Sequence, residues 1–192
     1  MFIQTEPTPN PDTLKFLPGQ AVTGTTGPYD FAAIGEAGTS PLAQALFQVH
    51  GVVRVFLGSD FISLSKDPDT DWKHLRPMAL AAIMDHFVAG LPVMATGGMP
   101  DPAAEAGASA ADYEGETAAI VGEIIELIET RVRPAVAQDG GDITFRGFKE
   151  GTVFLHMKGA CAGCPSSTAT LKHGIQNLLQ HFIPEVQQVE AV

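Results

Sequence analysis

The chain has 192 residues, 45% of them hydrophobic, and carries 11 basic against 22 acidic side chains, for a formal net charge of −11. This length can bury one hydrophobic core or two small ones. The acidic excess argues against nucleic-acid binding, which needs clustered Lys and Arg, and no apolar run approaches the ~20 residues of a membrane span. We therefore expect neither nucleic acid nor a membrane among its partners.

The first residues of the chain, Met1 to Glu6, are expected to begin a domain directly. They contain no basic region followed by an apolar stretch, and no Arg-rich amphipathic stretch, so they lack the features of a targeting signal. On this basis we expect a cytoplasmic location. In that reducing compartment cysteines remain thiols or bind metals, and structural disulfides are rare.

Residues 1–92 alternate strand and helix signals and are predicted to form the first domain. Runs of strand-forming residues bounded by Gly, Pro and Asp predict four strands, at residues 2–5, 13–17, 52–57 and 61–65. The last two strands flank Gly58-Ser-Asp60, which is a hairpin signal. Residues 24–28 are expected to form a loop.

Two helices are expected in this first domain. Ser40 followed by Pro41 is typical of a helix start. Asp71 is expected to cap a longer helix that ends at Gly90 and carries its apolar residues on one stripe. Because neither histidine of this helix has a second ligand at helical spacing, three of its side chains are interpreted as packing or surface groups: Trp72, His74 and His86.

Residues 93–115 are predicted to be a flexible acidic linker. The segment contains four acidic and no basic side chains and few residues that could form a core. A short Ala-rich helix beginning at Ala103 is the alternative interpretation. Gly107 and Gly115 weaken that alternative, since glycine disfavours a helix interior.

Residues 116–192 are predicted to form a second small domain with the order α-β-β-α-β. An amphipathic helix begins near Glu116 and is expected to stop at Pro134, because proline breaks helices. Strands are expected at residues 143–148, 152–157 and 186–189, with a helix beginning at Pro165 before the last of them. The fold class is therefore α/β (α+β), as two small domains joined by a linker.

Cys161 and Cys164 are the only cysteines of the chain, and they lie where the second strand of this domain meets its last helix. A helix N-terminus presents unpaired N–H groups and the positive end of the dipole, which favour thiolate over thiol. We therefore favour metal or cluster binding at this CxxC motif. Two thiolates are half of a tetrahedral sulfur site, and the simplest donor of the other half is a second copy of the chain.

Several alternatives remain open at this point. The two cysteines do not distinguish a structural zinc site shared by two chains from an iron–sulfur cluster. A thiol–disulfide oxidoreductase is a further possibility, although the short stretch after Cys164 leaves room for only one helix and one strand. An interaction module with incidental cysteines is the last. No Ser-His-Asp pattern or pair of catalytic carboxylates emerges, so we do not expect an enzyme.

Several segments carry a family resemblance. Asp139-Gly-Gly-Asp-Ile143, together with the CxxCP segment at residues 159–167, resembles the C-terminal domain of NifU, the Nfu module of iron–sulfur cluster biogenesis. Residues 5–11, 14–18 and 56–62 resemble the N-terminal domain of mitochondrial-type Nfu proteins. The resemblance covers nearly the whole chain apart from the linker.

This resemblance implies a cluster scaffold and carrier. In such proteins each of two protomers supplies two cysteines, here Cys161 and Cys164, to one shared [4Fe-4S] cluster, so that cluster binding makes a homodimer. The cluster comes from an upstream scaffold and passes to client apo-iron–sulfur proteins. Lys158 and Lys172 lie near enough in sequence to offset the negative charge of the cluster, or they are surface residues that aid solubility.

Overall fold

The computed structural model of the chain describes residues 2–95, 107–162 and 165–192, with the side chains of residues 165–167 left aside. The chain divides into two compact units, Met1–Ala104 and Glu105–Val192. Each unit combines helices with a sheet, which confirms the α+β class and the two-domain organisation. No helix among the described residues is long and apolar enough to cross a bilayer.

The first unit is built on a five-stranded antiparallel sheet with the strand order β1-β2-β5-β4-β3. Its strands are β1 Gln4–Pro7, β2 Thr13–Leu17, β3 Tyr29–Phe31, β4 Val52–Leu57 and β5 Ile62–Lys66. Two helices, α1 Pro41–Phe47 and α2 Trp72–Val88, belong to the same hydrophobic core through buried side chains. The buried stripe of α2 includes Leu75, Ala79 and Ile83, at the helical spacing expected from the sequence.

The sequence prediction missed two elements of this unit. Strand β3 is only three residues long, which is too short for an alternating pattern to be recognised. The segment Ile34–Thr39 forms 3-10 turns immediately before α1. By contrast, the predicted cap at Ser40 is confirmed, since its Oγ accepts a hydrogen bond from the Ala43 N–H at 3.1 Å.

The second unit contains a helical segment in three parts, a three-stranded sheet and a long helix. In chain order these are α3 Gly115–Leu127, a π-helical turn Ile128–Val132, α4 Arg133–Gln138, β6 Gly141–Lys149, β7 Thr152–Gly159, α5 Pro165–Phe182 and β8 Gln188–Ala191. Strand β7 is central, antiparallel to β6 and parallel to β8. Strand β6 begins two residues before the predicted position, so Gly141 and Asp142 belong to the sheet.

The prediction that the helix stops at Pro134 is wrong. The π-helical turn precedes this proline, and the Arg133 N–H donates to the carbonyl of Ile128. Pro134 therefore lies in the first turn of α4, where backbone N–H groups have no obligatory helical partner. The missing N–H of proline removes no hydrogen bond there, and the chain continues helically to Gln138.

Residues 107–114, which the sequence assigned to the linker, lie against the outer edge of β6. Ala108, Ala110 and Tyr113 pack against the core of the second unit. The Tyr113 hydroxyl accepts a hydrogen bond from the Phe148 N–H at 2.8 Å. An edge strand otherwise presents unpaired backbone groups to solvent or to other chains, so this contact closes part of the β6 edge.

The substitution Tyr113→Phe tests this contact. It removes the hydrogen bond but keeps the ring, so the free energy of unfolding of the second unit should fall by about 1 kcal/mol. The Phe148 amide should exchange with solvent several times faster, which amide hydrogen exchange by NMR measures. Tyr29→Phe is the control, because it also removes one tyrosine hydroxyl, which donates to the Thr26 carbonyl in the first unit, and should leave the Phe148 amide unchanged. Unchanged exchange at Phe148 in Tyr113→Phe would contradict the role of this contact.

Candidate functional site

The turn that carries Cys161 is fixed to the structure on both sides. It follows the last residue of β7, Gly159, whose φ of +63° favours glycine. The Ala160 N–H donates to the Gly140 carbonyl at 3.1 Å, across the pair of strands. On the other side, the Thr168 hydroxyl in α5 donates to the Cys161 carbonyl at 3.0 Å. The position of this cysteine therefore depends on β6, β7 and α5 together.

The Cys161 side chain points into the second unit and is only 5% exposed. It packs with the hydrophobic core of that unit. It also lies close to Gly141, at the start of β6. A Cβ atom at that position would lie 2.6 Å from Cys161 Sγ and 2.7 Å from the Lys158 carbonyl oxygen. Glycine at position 141 is therefore a requirement of the close approach of the thiol, not of a turn.

The expectation that the helix terminus favours thiolate at Cys161 is wrong. Burial, followed by the negative charges of Asp139 and Asp142, raises the pKa of the Cys161 thiol to about 12. The thiol is therefore protonated at neutral pH. A nucleophilic cysteine of a disulfide oxidoreductase needs a lowered pKa and access to solvent, so this environment argues against that alternative.

An ion-pair network lies beside the cysteine turn, and the sequence interpretation missed it. Asp142 is 6% exposed and receives two hydrogen bonds from Arg133, from Nε at 2.8 Å and from Nη2 at 2.9 Å. The Arg133 Nη1 also contacts the Glu129 carboxylate at 2.8 Å. The hydrogen bond to Asp142 is the main cause that raises the pKa of Arg133 above its ordinary value. The spacing of Glu129 and Arg133, one helical turn apart, was the available sequence signal.

The remaining predicted site residues have different fates. Cys164 lies outside the described residues. Lys158 is buried, with 4% exposure, which excludes a simple solubility role. Lys172 donates to the Glu190 carboxylate at 2.8 Å, and this bond is the main cause that lowers the pKa of Glu190.

The described part of the chain does not hold a complete metal site. Within residues 2–95, 107–162 and 165–192, no group of three or more His, Cys, Asp or Glu side chains is arranged to bind a metal ion. Any metal bound through Cys161 would therefore need further ligands from Cys164, from another molecule of the chain, or from both.

The raised pKa of Cys161 predicts how stability depends on pH. Between the ordinary thiol value, roughly pH 8.5, and about pH 12 the unfolded chain releases this proton while the folded chain retains it. The free energy of unfolding of the metal-free chain should therefore fall as pH rises through this window, by at most about 1.4 kcal/mol per pH unit. Cys161→Ala should lack this contribution. Urea titrations of both proteins across the window measure the difference, and parallel pH profiles would contradict the prediction.

Two family models match the chain. Residues 3–90 match the model described as the N-terminal domain of the scaffold protein Nfu/NifU. Residues 124–190, which contain both cysteines, match the NifU-like domain. A NifU-like protein from Saccharomyces cerevisiae, solved by NMR in solution, aligns at 28% identity with a TM-score of 0.44 and covers 48% of this chain and 83% of that chain.

Curated relatives align along the entire chain. Proteins named mitochondrial NFU1 iron-sulfur cluster scaffold homologs, from Drosophila persimilis and Drosophila erecta, are each 48% identical over 192 residues, which is 100% of this chain and 65% of theirs. The chain thus spans about two thirds of the length of these relatives. Their mitochondrial names overturn the prediction of a cytoplasmic location. That prediction rested on the composition of the first residues of a sequence that is shorter than these relatives.

Proposed function

Because this chain belongs to the Nfu/NifU family, we propose that it is an iron–sulfur cluster scaffold and carrier. It binds a [4Fe-4S] cluster between two protomers and transfers it to apo-proteins. The observation that carries this proposal is the position of Cys161, at the turn between β7 and α5 inside the segment that matches the NifU-like domain. The cluster is the cargo of the protein and not a resident cofactor, and no catalytic step is proposed for the chain.

The ligands proposed for the cluster are Cys161 and Cys164 of each protomer. A [4Fe-4S] cluster is held by four thiolates, and one chain has only two cysteines. A homodimer is therefore the proposed cluster-bound form.

Iron binding at this site must be coupled to the release of a proton. Metal ligation requires the thiolate, whereas burial keeps the metal-free Cys161 thiol protonated. Cluster binding should therefore weaken as pH falls. A cluster held only where two chains meet is released when they separate, which suits a carrier that receives the cluster from an upstream scaffold and delivers it to client apo-proteins.

Replacing either cysteine tests the ligand assignment. Cys161→Ser and Cys164→Ser should each abolish stable cluster retention after anaerobic reconstitution, because both chains of the homodimer carry the change and only two of the four thiolates remain at the shared site. The measurement is the iron and acid-labile sulfide content per chain after desalting. Retention of iron and sulfide at the parental ratio in either variant would show that the ligands are assigned wrongly.

The same analysis separates iron from zinc. A structural zinc dimer would also use four thiolates, but it would contain no sulfide and no iron after reconstitution with both metals present. Circular dichroism of the two cysteine variants provides the folding control. Ser59→Ala, in the first unit, is the control substitution away from the cysteines. Ser59 is exposed, and the side-chain hydrogen bond described for its hydroxyl is to the neighbouring Asp60.

Cluster loading and dimerisation should be thermodynamically linked. Because each cluster needs two chains, loading should draw chains together, and by reciprocity a higher protein concentration should tighten cluster retention. Sedimentation of metal-free and loaded protein at micromolar concentration, without small thiols, measures both effects. A loaded species that stays monomeric with a whole cluster per chain would disprove the shared site, while iron and sulfide retention would still support a cluster carrier.

A further inference from the structure

The proposed role of Cys161 requires an exposed sulfur atom, whereas the structure places that sulfur atom in the interior. A cluster shared between two chains needs sulfur ligands at a surface that both chains can reach. The Cys161 thiol is instead buried inside the second unit, against the backbone of Gly141. The metal-free structure therefore holds this thiol in a position from which it cannot contact a second chain.

The space that holds the thiol exists because residue 141 has no side chain. A Cβ atom there would come within 2.6 Å of Cys161 Sγ, 2.7 Å of the Lys158 carbonyl oxygen and 3.2 Å of the Cys161 backbone nitrogen. Gly141 has no positive φ, so its backbone conformation alone does not require glycine. The close approach of the Cys161 turn and of the end of β7 is what excludes a larger residue.

The residues on either side of Gly141 are held in place, so the wall formed by its backbone is rigid. The carbonyl of the preceding Gly140 accepts the hydrogen bond from the Ala160 N–H. The side chain of the following Asp142 accepts two hydrogen bonds from Arg133. The strand start therefore cannot easily move away from the thiol, and it is the Cys161 side chain that must move.

We propose that Gly141 is a positioning residue for cluster loading. Its backbone forms a niche that holds the Cys161 thiol away from solvent. The thiol must leave this niche before it ligates iron. The second part of this inference, that the thiol must leave the niche, rests on the proposed function, since only a cluster shared between chains requires the thiol to become exposed.

The test of the niche uses the metal-free chain of 192 residues and needs no iron. In a Cys164→Ser background Cys161 is the only thiol, so its alkylation by iodoacetamide reports on it alone. Because a buried thiol reacts only when its surroundings open, the native chain should react at least about 100-fold more slowly than the chain unfolded in guanidinium. Equal rates in the native and unfolded chains would disprove the niche.

Gly141→Ala in the same background should fill the niche and expel the thiol. The native alkylation rate should rise at least about tenfold, because exposure no longer depends on opening. Gly122→Ala is the matched control, since a Cβ at Gly122 meets nothing within 4 Å. It should leave the rate unchanged. An alkylation rate that Gly141→Ala does not change would overturn the proposal.

A general loss of stability could also expose the thiol, and a second variant distinguishes the two causes. Val189→Ala removes buried methyl groups from the same core at a distance in sequence from the turn. It should lower the urea midpoint of the second unit. Its alkylation rate in the native state should stay well below that of Gly141→Ala. If both variants raise the rate equally for an equal loss of stability, the effect is unfolding and the niche is not supported.

The loading step is tested separately, with both cysteines present. Anaerobic reconstitution followed by visible absorbance should proceed faster in Gly141→Ala than in the parent or in Gly122→Ala, because the thiol no longer has to leave the niche. Equal loading rates despite faster alkylation would contradict the requirement that the thiol leave the niche before it ligates iron. If no protein retains iron, the proposed cluster function fails, whereas the alkylation results still decide whether the niche exists.

Discussion

The antiparallel pairing of β6 with β7 is the constraint on which the candidate site depends. Its register sets Gly141 opposite Gly159 and Asp142 opposite Lys158. The start of one strand is thereby brought against the end of the other, where the cysteine turn follows. Two segments that are separate in sequence, Asp139 to Asp142 and the turn that carries Cys161, are brought together by this register. A slip of one residue would turn the side chains of β6 to the opposite face and remove the contact.

Burial outweighs the helix terminus in setting the chemistry of Cys161. A helix N-terminus stabilises a negative charge by up to about 1 kcal/mol at exposed positions, which is less than one pKa unit. Desolvation of a buried group can shift a pKa by several units in the opposite direction. A position next to a helix in the sequence therefore does not by itself indicate whether the pKa of a thiol is lowered or raised. The direction of its side chain decides its protonation, and spacing alone does not contain that information.

The sequence predicted the elements whose residues alternate or repeat over a sufficient length. Strand β4 and the apolar stripe of α2 lie as expected, and Ser40 caps α1. The three-residue strand β3 left no periodic signal. The helix through Pro134 could not be foreseen, because the π-helical turn that makes the proline tolerable depends on packing. The contacts of Gly141 and of the Arg133–Asp142 pair also required coordinates, since they join residues by register and not by motif.

The hydrogen bond from Phe148 to Tyr113 has a consequence for how two copies of this chain can associate. In the proposed cluster-bridged dimer the sheets of two chains would be at a high local concentration, and open strand edges under those conditions invite continuous pairing between chains. At Phe148 the backbone N–H of β6 is already bonded to Tyr113 of the same chain. The proposed dimer could therefore form at the cysteines without also merging its sheets at this part of the edge.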